Sequence, residues 1–262
     1  MITIQRRFTH ILLFATLILT SALVFAQEAT PKNTKANRTK KAIQESAGRP
    51  DIPGDLMIEI GFNWVQEHSE GVGFSTMGSR TFNAYYLYEY SIGESAFSFH
   101  PGLGIGTEKY KFANELTLGH GLDSLGEREV QYVALDSIFG AGTSYRKSQI
   151  NPIYFDIPLE IRWISKKYDP KRSFKVAVGG KVGFLIDGKT KVKYNSDGEN
   201  KVRKQKENFE MSSIRYGAYM RVGFGGFSAY GYYSLSDLFK KDKGPMATTM
   251  YPLTFGFSLA LF

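Results

Sequence analysis

The 262 residues carry a formal charge of +8 and are 15% aromatic, with 16 Tyr and 20 Phe against 2 Trp and no Cys. Without cysteine neither a disulfide framework nor a thiolate metal site can form, and charge alone is no argument for nucleic-acid binding in an exported chain. The aromatic load exceeds what one soluble core needs and suits girdles at two bilayer interfaces.

In chain order, Arg6-Arg7, the apolar run Ile11–Leu19 and Val24-Phe25-Ala26 have the layout of a secretory signal peptide cut before Gln27. A membrane helix is the weaker reading, because the run is short for a span of about 20 residues. The Arg pair is a poor twin-arginine context, so the general secretory route is expected. Removal of residues 1–26 leaves about 236 residues with a charge of +6, enough for one domain. Residues 27–53 then hold Lys32, Lys35, Arg38, Lys40, Lys41 and Arg49 with almost no hydrophobic content. They read as a disordered basic periplasmic tether. The sharper alternative is an arm that touches peptidoglycan, anionic lipid or a partner.

Residues 54–262 alternate apolar and polar side chains, which is the strand period. Eight segments show it: Asp55–Val65, Arg80–Ser91, Ala96–Lys109, Pro152–Ser165, Ser173–Ile186, Ser212–Phe224, Phe227–Leu238 and Met250–Phe262. Short turns (Ile92–Ser95, Lys166–Arg172, Gly225-Gly226) alternate with long polar connections (Gln66–Ser79, Tyr110–Asn151, Asp187–Ser213, Phe239–Thr249). A membrane barrel sorts its connections by length in this way, whereas a soluble sandwich has no reason to. The expected fold is therefore all-β: a single antiparallel up-and-down transmembrane β-barrel of eight strands. Ten is the alternative, because Arg128–Asp136 inside the second long connection also has strand character. The basic stretch Lys189–Lys206 reads as a solvated loop.

Alternation assigns the faces. Leu56, Ile58, Ile60, Phe62 and Trp64 point to lipid, as do Phe174, Val176, Val178, Val182 and Phe184, and Leu253, Phe255, Phe257, Leu259 and Leu261. Phe262 falls on the other parity, which requires a bulge or a looser terminal signal. The opposite face carries Asn63, Asn83, Glu59, Glu89, Asp156, Glu160, Arg162, Lys175, Lys181, Arg215 and Arg221. Eight strands enclose only enough room for side chains, and an unpaired buried charge is very costly. A paired charge network that plugs the lumen is therefore favoured over a narrow solute or ion path. The turn between the fourth and fifth strands makes Glu160 and Arg162 neighbours of Lys175 and Lys181. On that reading Lys181→Met strands a carboxylate and Glu160→Gln recovers part of the loss.

No catalytic, cofactor-binding or metal-binding residue is assigned. His68, His100 and His120 are scattered, and no His-Glu-x-x-His or Gly-x-Ser-x-Gly pattern occurs. Gly102-x-Gly104-x-Gly106 lacks a following helix and reads as barrel packing. His68, Ser69 and Glu70 could be imagined as a rim enzyme, the least favoured reading.

The stretches Asp51–Asn63, Gly78–Tyr86, Phe97–Gly106 and Tyr154–Glu160 resemble the small outer-membrane β-barrel family called porin-like or PorT-type. The resemblance covers Asp51 to Phe262 and implies residence in the outer membrane of a diderm bacterium. It also implies an accessory part in secretion or envelope assembly, since some members resemble components of a type IX secretion apparatus. The family has no shared catalytic residues to carry over. The expected function is a non-enzymatic barrel that contacts outer-membrane lipid and presents loops to envelope or secretion-system proteins. A small-solute channel is the second reading.

Overall fold

A computed structural model describes residues 54–65, 71–122, 125–140, 143–167, 169–196, 198–241, 243–245 and 249–261. The expected signal peptide and tether, His68, Ser69, Glu70 and Phe262 lie outside these described residues. The strands are β1 (Asp55–Val65), β2 (Arg80–Leu87), β3 (Tyr90–Ser91), β4 (Phe97–Lys111), β5 (Leu116–Leu122), β6 (Arg128–Ala134) and β7 (Ser144–Ile150). They continue with β8 (Ile153–Ile164), β9 (Phe174–Asp187), β10 (Lys189–Ser196), β11 (Glu199–Lys206), β12 (Ile214–Phe224), β13 (Phe227–Ser234) and β14 (Pro252–Ala260). One five-residue helix, α1 (Leu135–Phe139), follows β6.

Eight strands pair antiparallel in the ring β1-β2-β4-β8-β9-β12-β13-β14, and β14 returns to β1 through Met57↔Ala260 to Val65↔Pro252. Closure leaves the ring no free edge. β6 pairs with β5 alone, off the ring, so the ten-strand alternative does not hold. The period-two pattern is read directly in β1: Met57, Glu59, Asn63 and Val65 are buried, while Ile60 and Trp64 are 60% and 54% exposed. The outward apolar side chains form a band around the ring, as a lipid-facing wall requires.

One end of the ring carries the short reversals. β12 and β13 are joined by Gly225-Gly226, where Gly225 has φ 61°, a two-residue hairpin conformation that side chains disfavour. Between β8 and β9 a single 3-10 turn, Pro170–Arg172, is capped by the Asp169 side chain, which accepts from the Arg172 amide. The second predicted segment breaks at Tyr88-Glu89, so β2 ends at Leu87 and β3 pairs separately with β4.

The opposite end differs from the expectation of open polar loops. β4 runs on past the ring and pairs with β7 through Tyr110↔Ile150 and Lys111↔Gln149. β10 follows β9 after Gly188 and pairs with β7 and β11. Lys189–Lys206 is thus a hairpin rather than a solvated loop: the prolonged β4 offers an open hydrogen-bonding edge, and backbone pairing there does not need apolar side chains. Inside this end Val65, Val72, Tyr110, Phe112, Leu118, Val130, Ile150, Phe209, Met211, Leu238, Phe239 and Met250 form one buried apolar cluster.

Candidate functional site in the barrel interior

Alternation along each ring strand sends every second side chain inward, and in eight strands these converge on one axis. Four carboxylates (Glu59, Glu108, Asp156, Glu160) and four cations (Arg162, Lys181, Arg215, Arg221) lie there, each no more than 5% exposed. They sort into two tiers.

The tier nearer the short turns centres on Arg221 from β12. Its guanidinium donates to Glu59 Oε1 at 2.9 and 2.7 Å and also to Glu160 Oε2. Arg162 donates to Glu160 Oε1 at 3.1 and 2.7 Å and to Asp55. Tyr219 adds its hydroxyl to Glu160 at 3.1 Å, and Asn83 Nδ2 donates to Glu59 at 2.7 Å. Lys175 is half-buried at the mouth of this tier, beside Met57, Arg162, Arg221 and Ser228. Glu89 sits half-buried in the break between β2 and β3, 3.5 Å from Ser91 Oγ.

The second tier centres on Arg215, also from β12. It pairs with Asp156 at 2.6 Å and with Glu108. Tyr85 donates to Asp156 at 2.8 Å, and Tyr110 donates to Glu108. The Arg215 guanidinium lies 4.0 Å from the Tyr154 ring centroid, and such stacking suits a weakly hydrated cation. Lys181 does not pair with Glu160. Its ammonium is 3.9 Å from Asp156, 3.3 Å from Tyr85 Oη and 3.9 Å from the Tyr232 ring centroid. The register offers Lys181 both carboxylates, since it stands opposite Pro158 with Asp156 and Glu160 on its two diagonals. Glu160 is already held by two arginines.

Glycine makes the room. A Cβ on Gly106 or Gly183 would run into the Asp156 carboxylate and the Arg215 guanidinium, so these positions flank the pair with no side chain of their own. Gly104 likewise lies against the backbone of Ala84 and the Tyr85 ring. The Gly102-x-Gly104-x-Gly106 repeat is therefore interior packing on β4.

Asp55, Glu108 and the tyrosine hydroxyls were not singled out from the sequence. Glu108 shares the parity of His100 on β4, and both are buried, so strict alternation would have found it. The tyrosines look like girdle residues in sequence, yet alternation already puts Tyr85, Tyr154, Tyr219 and Tyr232 on the inner face with Asn83, Asp156, Arg221 and Ser234, and only the strand stagger decides which partner each one meets.

Towards the long connections the tiers give way to Asn63, whose Oδ1 accepts from Thr81 and from Thr254 at 2.8 Å, and then to the apolar cluster. At that end His120 stacks on Phe209, centroids 5.6 Å apart, and pairs with Glu207 at 2.7 Å, where Arg128 also reaches at 3.2 Å. Burial raises the Glu207 carboxyl, but the Gln205 hydrogen bond and the His120 and Arg128 partners outweigh it and hold the group below its ordinary value.

A family model described as an outer membrane protein β-barrel domain matches residues 44–240. No curated protein matches the chain. Among solved structures, Ail, the attachment invasion locus protein of Yersinia pestis, is similar at 14% identity, covering 80% of this chain and 100% of its own, with a TM-score of 0.33. The same protein in complex with the heparin analogue sucrose octasulfate is similar at 14% identity over the same shares, with a TM-score of 0.32.

Proposed function

The chain belongs to the outer membrane protein β-barrel domain family, and on that premise we propose a non-enzymatic integral outer-membrane protein whose lumen is plugged by its own charges. The structured end beyond the ring is its surface for binding or for envelope or secretion-system assembly. One observation carries this reading: two ion-paired tiers fill the interior, and an apolar cluster lies beyond them. Ions crossing this interior would have to displace partners from charges that have almost no exposure, at the large cost of leaving those charges unpaired. Short turns then face the periplasm and the long connections face outside.

Planar-bilayer recording tests the plug. The purified protein is expected to add no steady conductance, and regular open steps would put the narrow-channel reading in its place. Ala substitution at His68 is expected to leave the envelope lipid profile unchanged, which the rim-enzyme reading forbids. The mature chain is expected to begin at Gln27, read by mass spectrometry of the outer-membrane fraction. Mild crosslinking in the native envelope, followed by co-purification, identifies the assembly partner.

A further inference from the structure

The outer face of the extension beyond the ring gathers lysines from four strands. Residues directly opposite each other in an antiparallel ladder share a face with Cβ atoms about 4.5–5.5 Å apart, and like charges in such pairs are destabilising. This face has Lys147 opposite Lys193, Lys191 opposite Lys204 and Lys189 opposite Lys206. On the ring next to it, Arg80 stands opposite Lys109. Lys111 and Lys191 lie on either side of Gln149, each paired with it in register. Asp187 answers one of these pairs, at 3.2 Å from Lys189 and 3.5 Å from Lys206. Among the described residues Lys109, Lys111, Lys147, Lys191, Lys193 and Lys204 make no ion pair with a carboxylate.

We propose that this lysine belt binds the phosphate groups of anionic lipid in the leaflet beside it. The placement selects a lipid over other polyanions. On β4 the outward series runs Leu103 and Ile105, both more than half exposed, then Thr107, then Lys109 and Lys111. On β2 exposed Phe82 precedes Arg80 in the same direction. Ile105 to Lys109 is roughly 13 Å along a tilted strand, which places the ammonium groups at headgroup depth next to the hydrocarbon core. The same lysines would otherwise be an unanswered repulsion. Partial burial, then the neighbouring Lys109, Lys111, Lys193 and Lys191, push the Lys147 ammonium below its ordinary value, and Lys191 is lowered by burial and by Lys193 and Lys204. A phosphate over this face neutralises several such pairs at once. The inference rests on the proposed membrane placement and adds to it a headgroup class and the residues that hold it.

The test reconstitutes the full mature chain in nanodiscs of phosphatidylcholine mixed with a diphosphorylated glycolipid and measures retained lipid by native mass spectrometry after detergent extraction. The parent is expected to retain the phosphorylated lipid over phosphatidylcholine. Lys147→Gln with Lys191→Gln and Lys193→Gln should weaken that retention by about fivefold per lysine. Lys166→Gln with Lys171→Gln, at the short-turn end, should leave it unchanged. Equal retention of both lipids by the parent, an unchanged triple variant, or an equal loss in the short-turn control overturns the belt. Competition by free inorganic phosphate at equal concentration would show an ion site rather than a lipid site, and overturns it as well. If the triple variant does not fold, exposed Lys193→Gln alone carries the test with the same outcomes. A chain that does not enter the nanodisc at all refutes the membrane reading itself, a result distinct from loss of lipid preference.

Discussion

Arg221→Met is the most informative single change in the interior. Arg221 is 4% exposed and is the shared partner of Glu59 and Glu160. Methionine keeps much of the volume but removes the charge, so two carboxylates lose a donor together. Glu160 retains Arg162 and the Tyr219 hydroxyl, whereas Glu59 is left with Asn83. Breaking a buried pair by removing one partner costs about 3–5 kcal/mol, and Arg221→Met should reach that range. Because Glu59 is the more isolated survivor, adding Glu59→Gln should recover more of the loss than adding Glu160→Gln. The assay is urea unfolding in lipid vesicles followed by the fluorescence of Trp64 and Trp163, which both lie on ring strands. An Arg221→Met protein as stable as the parent, or equal rescue by the two glutamines, would refute the reasoning. The interior would then be hydrated enough to solvate a lone carboxylate.

Val178→Arg, mid-strand on β9 and 53% exposed among outward Met220 and Ile161, should destabilise by about 2–4 kcal/mol in the same vesicles; folding equal to the parent would invert the faces. Lys181→Met should cost less than Arg215→Met, because Asp156 keeps Arg215 and Tyr85 in the first case, and Glu160→Gln should not rescue it. Paired urea titrations of the two single variants and the Lys181→Met/Glu160→Gln double check both statements. For Glu207, a folded pKa below the ordinary 4.5 means its contribution is present above that value and is lost as pH falls through the lower folded one. The hydrogen-exchange protection of the Phe209–Met211 amides, relative to the intrinsic rate at each pH, should therefore fall below about pH 4.5, and Glu207→Gln should abolish that pH step.

The face of each ring strand was legible because a period of two needs only the residue types along one strand. β1 and β14 show this: Glu59 and Asn63 turn inward and Trp64 outward, while Phe255, Phe257 and Leu259 face out. The short reversals were legible for a similarly local reason, since Gly225-Gly226 and Asp169-Pro170 dictate backbone conformation where they stand. The same alternation puts Glu59, Asp156, Glu160, Arg162, Lys181, Arg215 and Arg221 on the face that the structure buries, leaves Lys175 half-buried at the mouth, and did not single out Asp55 or Glu108. Glu89 shares the parity but lies in a break that the local pattern did not reveal.

Which charge meets which was decided only by the closed ring. Arg221 reaches Glu59 from a strand 162 residues further along the chain, and no local pattern encodes the height at which two distant strands are staggered. The ring sets both Asp156 and Glu160 on the diagonals of Lys181 and leaves Asp156 to it because two arginines hold Glu160, and it brings inward tyrosine hydroxyls onto buried carboxylates as donors. The extension and its apolar cluster have the same origin. β10 and β11 are rich in Lys and polar residues, and they become strands because the prolonged β4 and β7 supply a backbone edge. Amphipathic order along a strand is a property of sequence; pairing, height and the company of each buried charge belong to the closed sheet.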